Sequence, residues 1–431
     1  MKKCKKIMAL LLAVALTVSS IALTNPTSAS AAKKVSLSTK KLTVKVGQSK
    51  KLKLKNNKKK ATWKVLSGKK NITLKGKKKT GVTVVGKKKG SAKVQAKIGK
   101  KKYACKVTVK SATVNGVLKL HYNGKNLDEV MEQVENTDAS VHIIVDKGVK
   151  KIGKQAFRFP KNVKKVTIPN SVTKIGEGAF WDSEGLTSIT IPASVTHIGD
   201  YAFAGCSRLT KITVAKKNRT YNSRGNCNAI IKTKTNALIA GCKNTKIPDS
   251  VTSIGSGAFE GCYGLTKITI PNRVTRIENS AFRYCNKLTR ITIPNRVTSI
   301  EAWAFSGCGL TSITIPASVT RIEKEAFLCG VKKITVANGN RKYDSRNNCN
   351  AIIETGTNTL ITGCISTKIP DSVTRIGDWA FWGCGLTSIT IPASVTSIGK
   401  ETFTYCDRLT SIKWKGKTYP SVDAFWKAFK P

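Results

Sequence analysis

Hydrophobic positions keep one rhythm from about residue 141 to the end of the chain and a different one before residue 110. In the longer part, LTSITIPASVT occurs three times, at 186–196, 310–320 and 386–396. Aligning the chain on Ala-Phe puts Phe157, Phe180, Phe203, Phe259, Phe282, Phe305, Phe327 and Phe381 in one column, with Phe403 of Thr-Phe as a ninth; most neighbours are 22 or 23 residues apart. The unit reads L-T-x-I-T-I-P-x-x-V-T-x-I-x-x-x-A-F-x-x-C. Its L-x-x-I-x-I opening predicts a strand with Leu and Ile turned inward, and the proline that follows stops the ladder. So short a coil cannot bury its apolar face alone, but stacked on copies of itself at roughly 4.8 Å it can. The pattern therefore predicts a solenoid.

Before residue 110 the period is two. KLTVKV, KLKLK, TGVTVV, AKVQAKI and CKVTVK alternate apolar residues with lysines, and Gly47, Gly68, Gly76, Gly81, Gly86, Gly90 and Gly99 punctuate them. A long like-charge run is ordinarily disordered, but this alternation predicts a small antiparallel sandwich of about seven strands, with Trp63 and Cys105 in its core.

Two spacings break the solenoid rhythm, 56 residues from Phe203 to Phe259 and 54 from Phe327 to Phe381. Each holds a copy of one insert, YNSRGNCNAIIKTKTNALIAGCKNTKIP and YDSRNNCNAIIETGTNTLITGCISTKIP, the copies lying 122 residues apart. A hairpin centred between Lys234 and Thr235 sets Ile231 against Leu238, Ala229 against Ala240 and Cys227 against Cys242. The same construction sets Cys349 against Cys364. Two cross-strand disulfides are expected in an exported protein, with paired buried thiols as the alternative. The cysteines three after the Phe (Cys206, Cys262, Cys285, Cys308, Cys384, Cys406), and Cys329 two after, read as a ladder of small buried residues.

Charge separates the same two parts. From Lys33 to Lys110 there are 29 lysines and no Asp, Glu or Arg, and the first acidic residue of the chain is Asp128. The start, MKKCKKIMALLLAVALTVSSIALTNPTSASAA, joins lysines to an apolar run and an A-x-A site, the form of a secretory signal. No later segment is long and apolar enough to span a membrane. The expected organisation is a signal at 1–31, a lysine-rich domain at 33–110, a linker and N-terminal cap at 111–150, a solenoid at 151–412 with hairpin inserts at 215–247 and 337–369, and a C-terminal cap at 413–431. In the first cap Asn126 is placed to cap a helix over Leu127, Val130, Met131 and Val134. In the second, Trp414, Tyr419, Phe425, Trp426 and Phe429 are placed to seal the last coil.

LTVKVGQSKKLKL, TWKV and GSAKVQAKIGKKKYACKVTV resemble the bacterial Ig-like domains of group 2, which implies a spacer or wall-associated module without catalytic residues. From about Val141 onward, the repeated IP-x-SVT-x-IG-x-x-AF-x-GC unit resembles the BspA-like leucine-rich-repeat surface proteins. Together the resemblances imply a mainly β chain, an Ig-like β-sandwich followed by a leucine-rich-repeat solenoid of 22–23-residue coils, acting as a secreted, adhesin-type protein at the cell wall. The implied partners are host matrix or cell-surface proteins or glycans, with anionic cell-wall polymers for the lysine-rich domain. The chain shows no C-terminal sorting motif, and the family supplies no fixed ligand residues.

Catalytic chemistry finds no footing. His121, His142 and His197 stand in no triad or metal-ligand spacing, the carboxylates fall at variable turn positions, and no cofactor is indicated. Asp344 with Asn347, Asn348 and Asn350 suggests a calcium loop, but Asn222 replaces Asp344 in the first copy. Comparison of coils ranks binding positions instead. Lys267, Arg273, Arg276, Arg290 and Arg296 form a candidate basic patch, with a merely solvated face as the alternative. Tyr201, Trp303 and Trp379, two before the Phe, are candidate aromatic anchors, with packing on the next coil as theirs. Two functions from different classes follow: an adhesin on an electrostatic stalk, or a structural envelope protein held by charge without a specific receptor. Extracellular nucleic acid is a further, non-specific polyanion for the lysine block.

Overall fold

The computed structural model describes residues 34–110, 113–114, 117–328 and 331–429. The expected signal segment and Cys329 lie outside the described residues. The period-two lysine block folds into eight strands: β1 (Ser36–Leu37), β2 (Lys41–Lys45), β3 (Ser49–Lys55), β4 (Thr62–Ser67), β5 (Ile72–Lys78), β6 (Gly81–Gly86), β7 (Gly90–Ile98) and β8 (Lys101–Lys110). They form two four-stranded sheets, in the orders β1-β3-β6-β5 and β2-β8-β7-β4. Leu42, Val44, Leu52, Val82, Val84, Val94 and Val107 from both sheets share one core. Trp63 is buried there, its indole N–H donating to Lys78 O at 3.1 Å. Alternation sends the lysines outward, as the sequence pattern requires.

A strand (Val117–Tyr122), helix α1 (Leu127–Glu135) and a parallel strand (Ser140–Val145) open the second part. Asn126 sits at the N-cap of α1, but its side chain makes no capping bond: its Oδ1 accepts from Asn123 N–H at 2.9 Å and its amide donates to His121 O. The acids of α1 meet the lysine domain, Glu129 with Lys75 at 3.3 Å and Glu132 with Lys87 at 2.9 Å.

From there the chain coils. The L-x-x-I-x-I segments at Val163–Thr167, Ser188–Ile191 and Lys211–Val214 extend the parallel sheet begun by Ser140–Val145. A second column, from the V-T-x-I segment, stacks Lys151–Ile152, Lys174–Ile175 and His197–Ile198. Inside run the phenylalanines, ring on ring: Phe180–Phe203 and Phe259–Phe282 at 5.1 Å, Phe282–Phe305 and Phe305–Phe327 at 5.5 Å. Identical residues meet their own kind one coil away, which is why the sequence repeats.

Each Phe turn needs two left-handed residues. Two before the Phe, φ is 52° at Gln155, 57° at Tyr201, 54° at Ser280 and 57° at Trp303; two after, it is 53° at Asp182, 59° at Tyr284, 65° at Gly261 and 66° at Gly307. The glycine of A-F-x-G-C is there because this conformation costs other residues free energy.

The inserts break both columns. In each, the predicted hairpin forms, Ile230–Lys232 on Ala237–Ala240 and Ile352–Glu354 on Thr359–Thr362, and its second strand pairs in parallel with the next coil. Side chains of the insert close the edges left behind. Tyr221 Oη accepts from Ile198 N–H at 2.9 Å and Tyr343 Oη from Ile322 N–H at 3.0 Å. The front column does not resume at once: the predicted strands in LTKITI (265–270) and LTRITI (288–293) form no ladder, although they lie in neighbouring coils. Their Leu265, Ile268, Leu288 and Ile293 remain buried. The chain ends in a hairpin (Ser411–Trp414, Lys417–Tyr419) and helix α2 (Val422–Ala428), N-capped by Ser421 Oγ accepting from Ala424 N–H at 3.1 Å. Phe425 lies edge-on to Phe403 at 6.0 Å and against Trp414, Tyr419, Trp426 and Phe429, closing the last coil.

Candidate binding surfaces

The outer face of the β2-β8-β7-β4 sheet sets lysine directly against lysine. Lys41 pairs with Lys106 and Lys45 with Lys110; on the other side of β8, Lys106 pairs with Lys93 and Lys102 with Lys97. All are exposed. β2 runs parallel to β8; in the antiparallel pair of β7 and β8, directly opposed residues lie about 4.5–5.5 Å apart at Cα, and like charges so placed are destabilising. The other sheet avoids this, since Lys51 faces Thr83 and Lys53 faces Gly81. A row running Lys41–Lys106–Lys93 across three strands, on a domain without a carboxylate, is a surface that a polyanion would stabilise.

On the solenoid, all five predicted basic residues are exposed. They occupy three positions of the coil. Lys267 and Arg290 share the front column of neighbouring coils, Arg273 and Arg296 share the turn after the proline, and Arg276 lies in the second column, where Glu278 Oε1 takes its guanidinium at 3.1 Å. The three predicted aromatics lie along the next coil. Tyr201 is half-buried, and a Cβ added at Gly257 would stand 2.4 Å from its ring. Trp303 donates its indole N–H to Glu325, and Trp379 donates to Glu401 Oε2 at 3.1 Å. These contacts follow the packing alternative, although Trp303 keeps 37% of its surface exposed.

Sequence comparison missed a second aromatic column. Phe159, Tyr284 and Tyr405, each two after its Phe in the left-handed conformation, are exposed. Arginines stack on two of them: Arg158 lies 4.0 Å from the Phe159 ring centroid and 4.5 Å from that of Trp181, and Arg283 lies 4.6 Å from Tyr284 and 5.4 Å from Trp303, while Tyr405 meets Trp382 edge-on at 4.9 Å. Glu260 is buried beside Arg283 at 3.7 Å, and its carboxyl is pushed up to about 7 because burial outweighs the attraction of that guanidinium. The signal for this column was the recurrent glycine that these residues replace.

The model of the BspA type leucine rich repeat region matches six copies, over residues 135–235, 226–332 and 352–428. The chain belongs to this family. Crystal structures with similarity include a leucine rich cell surface protein from Faecalibacterium prausnitzii, 27% identical over 74% of this chain and 67% of that one, TM-score 0.36. A leucine-rich repeat protein from Eubacterium ventriosum is 22% identical over 68% and 91%, TM-score 0.40. The pneumococcal vaccine antigen PcpA is 17% identical over 86% and 71%, TM-score 0.28. No curated protein matches.

The cysteine of the BspA-type unit does more than fill space. Its thiol donates to the carbonyl of the Phe one coil earlier: Cys206 to Phe180 at 3.2 Å, Cys285 to Phe259 at 3.2 Å, Cys308 to Phe282 at 3.0 Å and Cys406 to Phe381 at 3.0 Å. Ser183 makes the same bond to Phe157 at 2.6 Å, so the column selects a small donor. That serine was the clue in the sequence. Burial pushes the Cys262 thiol up to about 12, which keeps it protonated and inert.

In the inserts, the expected disulfides do not form: Cys227, Cys242, Cys349 and Cys364 are free. A bulge between Ile230 and Ile231 shifts the register, so that Ile231 faces Leu238 but Ile230, rather than Ala229, faces Ala240. Beyond it Cys242 lies against Asn228, to whose carbonyl its thiol donates at 3.5 Å; Cys364 repeats this on Asn350 at 3.2 Å, after the same bulge. The displacement sends the two thiols of each hairpin into different core clusters.

Asp344 does not present a free carboxylate for calcium. Arg346 binds it bidentately, Nη2 to Oδ2 at 2.7 Å and Nε to Oδ1 at 2.9 Å. His121 pairs with Asp146 at 2.7 Å on an exposed strand, and His142 bonds Thr167 Oγ1 at 2.8 Å. Among the described residues no three His, Cys, Asp or Glu converge as metal ligands, and no helix is long and apolar enough to cross a membrane.

Proposed function

We propose that this is an exported surface protein of adhesin type, whose solenoid binds host or cell-surface macromolecules while the lysine-rich sandwich, an Ig-like stalk, holds to the anionic polymers of the cell wall. The in-register lysine face carries the second half of this reading. Its repulsion is relieved by contact with a polyanion and by little in the chain itself, since only Lys75 and Lys87 of the sandwich find acidic partners among the described residues. Such attraction reaches about 8 Å at physiological salt, so it acts on contact and fails in high salt. The surface-binding half rests on membership of the repeat family and on the exposed arginine and aromatic columns.

The test is retention of the mature chain on isolated cell walls and on immobilised matrix proteins across a salt series, with Lys41, Lys93 and Lys106 changed to Gln as the variant. Wall binding is expected to fall with salt and to weaken in the variant, while matrix binding persists in both. Loss of every interaction together at high salt would leave a charged envelope component with no specific receptor.

A further inference from the structure

Where the first insert interrupts the front sheet, the strand Lys211–Val214 is left as an edge. In a parallel strand, successive residues turn their N–H and C=O alternately to either side. The phase is fixed by two bonds: Ala215 N–H donates to Ile191 O at 2.9 Å, towards the sheet, and Val214 N–H donates to Ser223 Oγ at 2.9 Å, away from it. Thr210 O, also facing away, accepts from Asn244 Nδ2 at 3.3 Å. The insert thus plugs the edge at both ends. Between the plugs Ile212 turns its N–H and C=O outward, and no described residue bonds them.

The second copy repeats the device 122 residues on. Val336 N–H donates to Ser345 Oγ at 2.7 Å, Lys332 O accepts from Ser366 Oγ at 2.8 Å, and Ala337 N–H donates to Ile315 O, which leaves Ile334 in the place of Ile212. The copies differ along this edge at Lys216 against Asn338, Asn244 against Ser366 and Gly225 against Asn347. Gly225, at φ 60°, has no atom within 4 Å of where a Cβ would stand, whereas Asn347 fills the corresponding position at φ 56°. Before Gly225 lies a groove of about 810 Å³, bounded by the strand on one side and by Ser223, Asn226, Asn228 and Asn244 on the other. It runs along the open backbone of Ile212, where the next coil's strand would have lain.

The geometry points to a strand-addition site: the groove takes an extended acidic peptide of another protein, which pairs with Ile212 and lays acidic side chains along Lys211 and Lys216. A backbone donor and acceptor side by side on one edge residue select an extended peptide, since main-chain pairing is what such an edge offers. The lysines at the groove, on a chain of formal charge +54, select an acidic partner and oppose a second copy. This deepens the surface-binding reading, resting on it for a partner outside the cell, but it is independent of the lysine-rich sandwich.

The test uses the mature chain and an end-blocked peptide of alternating valine and glutamate, at a salt concentration that abolishes binding to the sandwich lysines. A second peptide of identical charge carries N-methyl groups on alternate amides. The first is expected to bind and to slow hydrogen exchange at Ile212 while leaving Ile189 unchanged; the methylated peptide is expected to bind roughly tenfold more weakly, the loss of about 1.4 kcal/mol. Gly225→Asn, which copies the second insert and suits a left-handed position, should also weaken binding without changing thermal stability. Equal binding of the two peptides, or an unaltered affinity in Gly225→Asn, overturns the proposal. So does concentration-dependent self-association that Gly225→Asn abolishes, since the occupant would then be a second copy. Failure here with matrix binding intact leaves the surface-binding reading standing.

Discussion

Glu260 offers the sharpest test of how the solenoid handles charge. The residue follows Phe259 at the turn, is 5% exposed, and has Arg283 of the next coil 3.7 Å away. If the ion pair dominated, its pKa would lie below the ordinary value of 4.5; burial lifts it to about 7 instead. A carboxyl whose pKa rises on folding is protonated more readily in the native state, so folding is opposed increasingly as pH climbs from 4.5 to about 7. At 1.36 kcal/mol per pH unit, the penalty reaches on the order of 3 kcal/mol above that range. Glu260→Gln keeps the shape and removes the charge. Arg283, with 30% of its side chain exposed and its guanidinium on Tyr284 and Trp303, retains other partners. The variant should match the wild type at low pH and exceed it progressively above pH 4.5, levelling off above about 7. Repeat arrays unfold piecemeal, so the measurement is local: hydrogen exchange at Phe259 and Phe282, compared between the two proteins at each pH. A difference that stays flat with pH, or that favours the wild type as pH rises, would show that the ion pair outweighs burial and sink the reasoning.

Other expectations are simpler to read. Phe282→Ala removes a ring stacked between Phe259 and Phe305 at 5.1 and 5.5 Å, and should cost about 3–5 kcal/mol in local unfolding free energy, measured by hydrogen exchange in the flanking coils. Cys308→Ser should leave the urea midpoint nearly unchanged, since Ser183 does the same work, whereas Cys308→Ala strands the Phe282 carbonyl and should cost about 1 kcal/mol or more. Thiol titration of the folded protein should find almost no reactive cysteine among the eleven of the described residues, all of them buried. In denaturant without reductant it should find as many as after reduction; a deficit of four would restore the insert disulfides.

The coil, its period and its core were legible in the sequence because stacking makes like residues meet: Phe180, Phe203, Phe259 and Phe282 had to share a column if they shared a spacing. The hairpin of each insert was legible for the same reason, from the match of Ile231 with Leu238. What failed was anything that depended on one residue of register. The bulge between Ile230 and Ile231 carries no mark in its side chains, yet it moves Cys242 from Cys227 to Asn228. The missing ladders at 265–270 and 288–293 failed differently, since their sequences fit the repeat and neighbouring coils carry them, yet no strand pairing forms there. The aromatic column at Phe159, Tyr284 and Tyr405 was hidden because a turn that prefers glycine does not advertise what replaces it.

The inserts also change how the solenoid should be understood. An uninterrupted stack hides every strand edge except the two at its ends, and the caps at α1 and α2 take care of those. Each insert reopens two edges in the middle of the molecule, and the chain spends specific side chains closing them: Tyr221 and Tyr343 on one column, Ser223 and Ser345 on the other. The inserts close the ends of each front edge, and the first copy keeps a groove before the open backbone of Ile212. The copies differ at the rim of that groove, at Gly225 and Asn347, while they share the core.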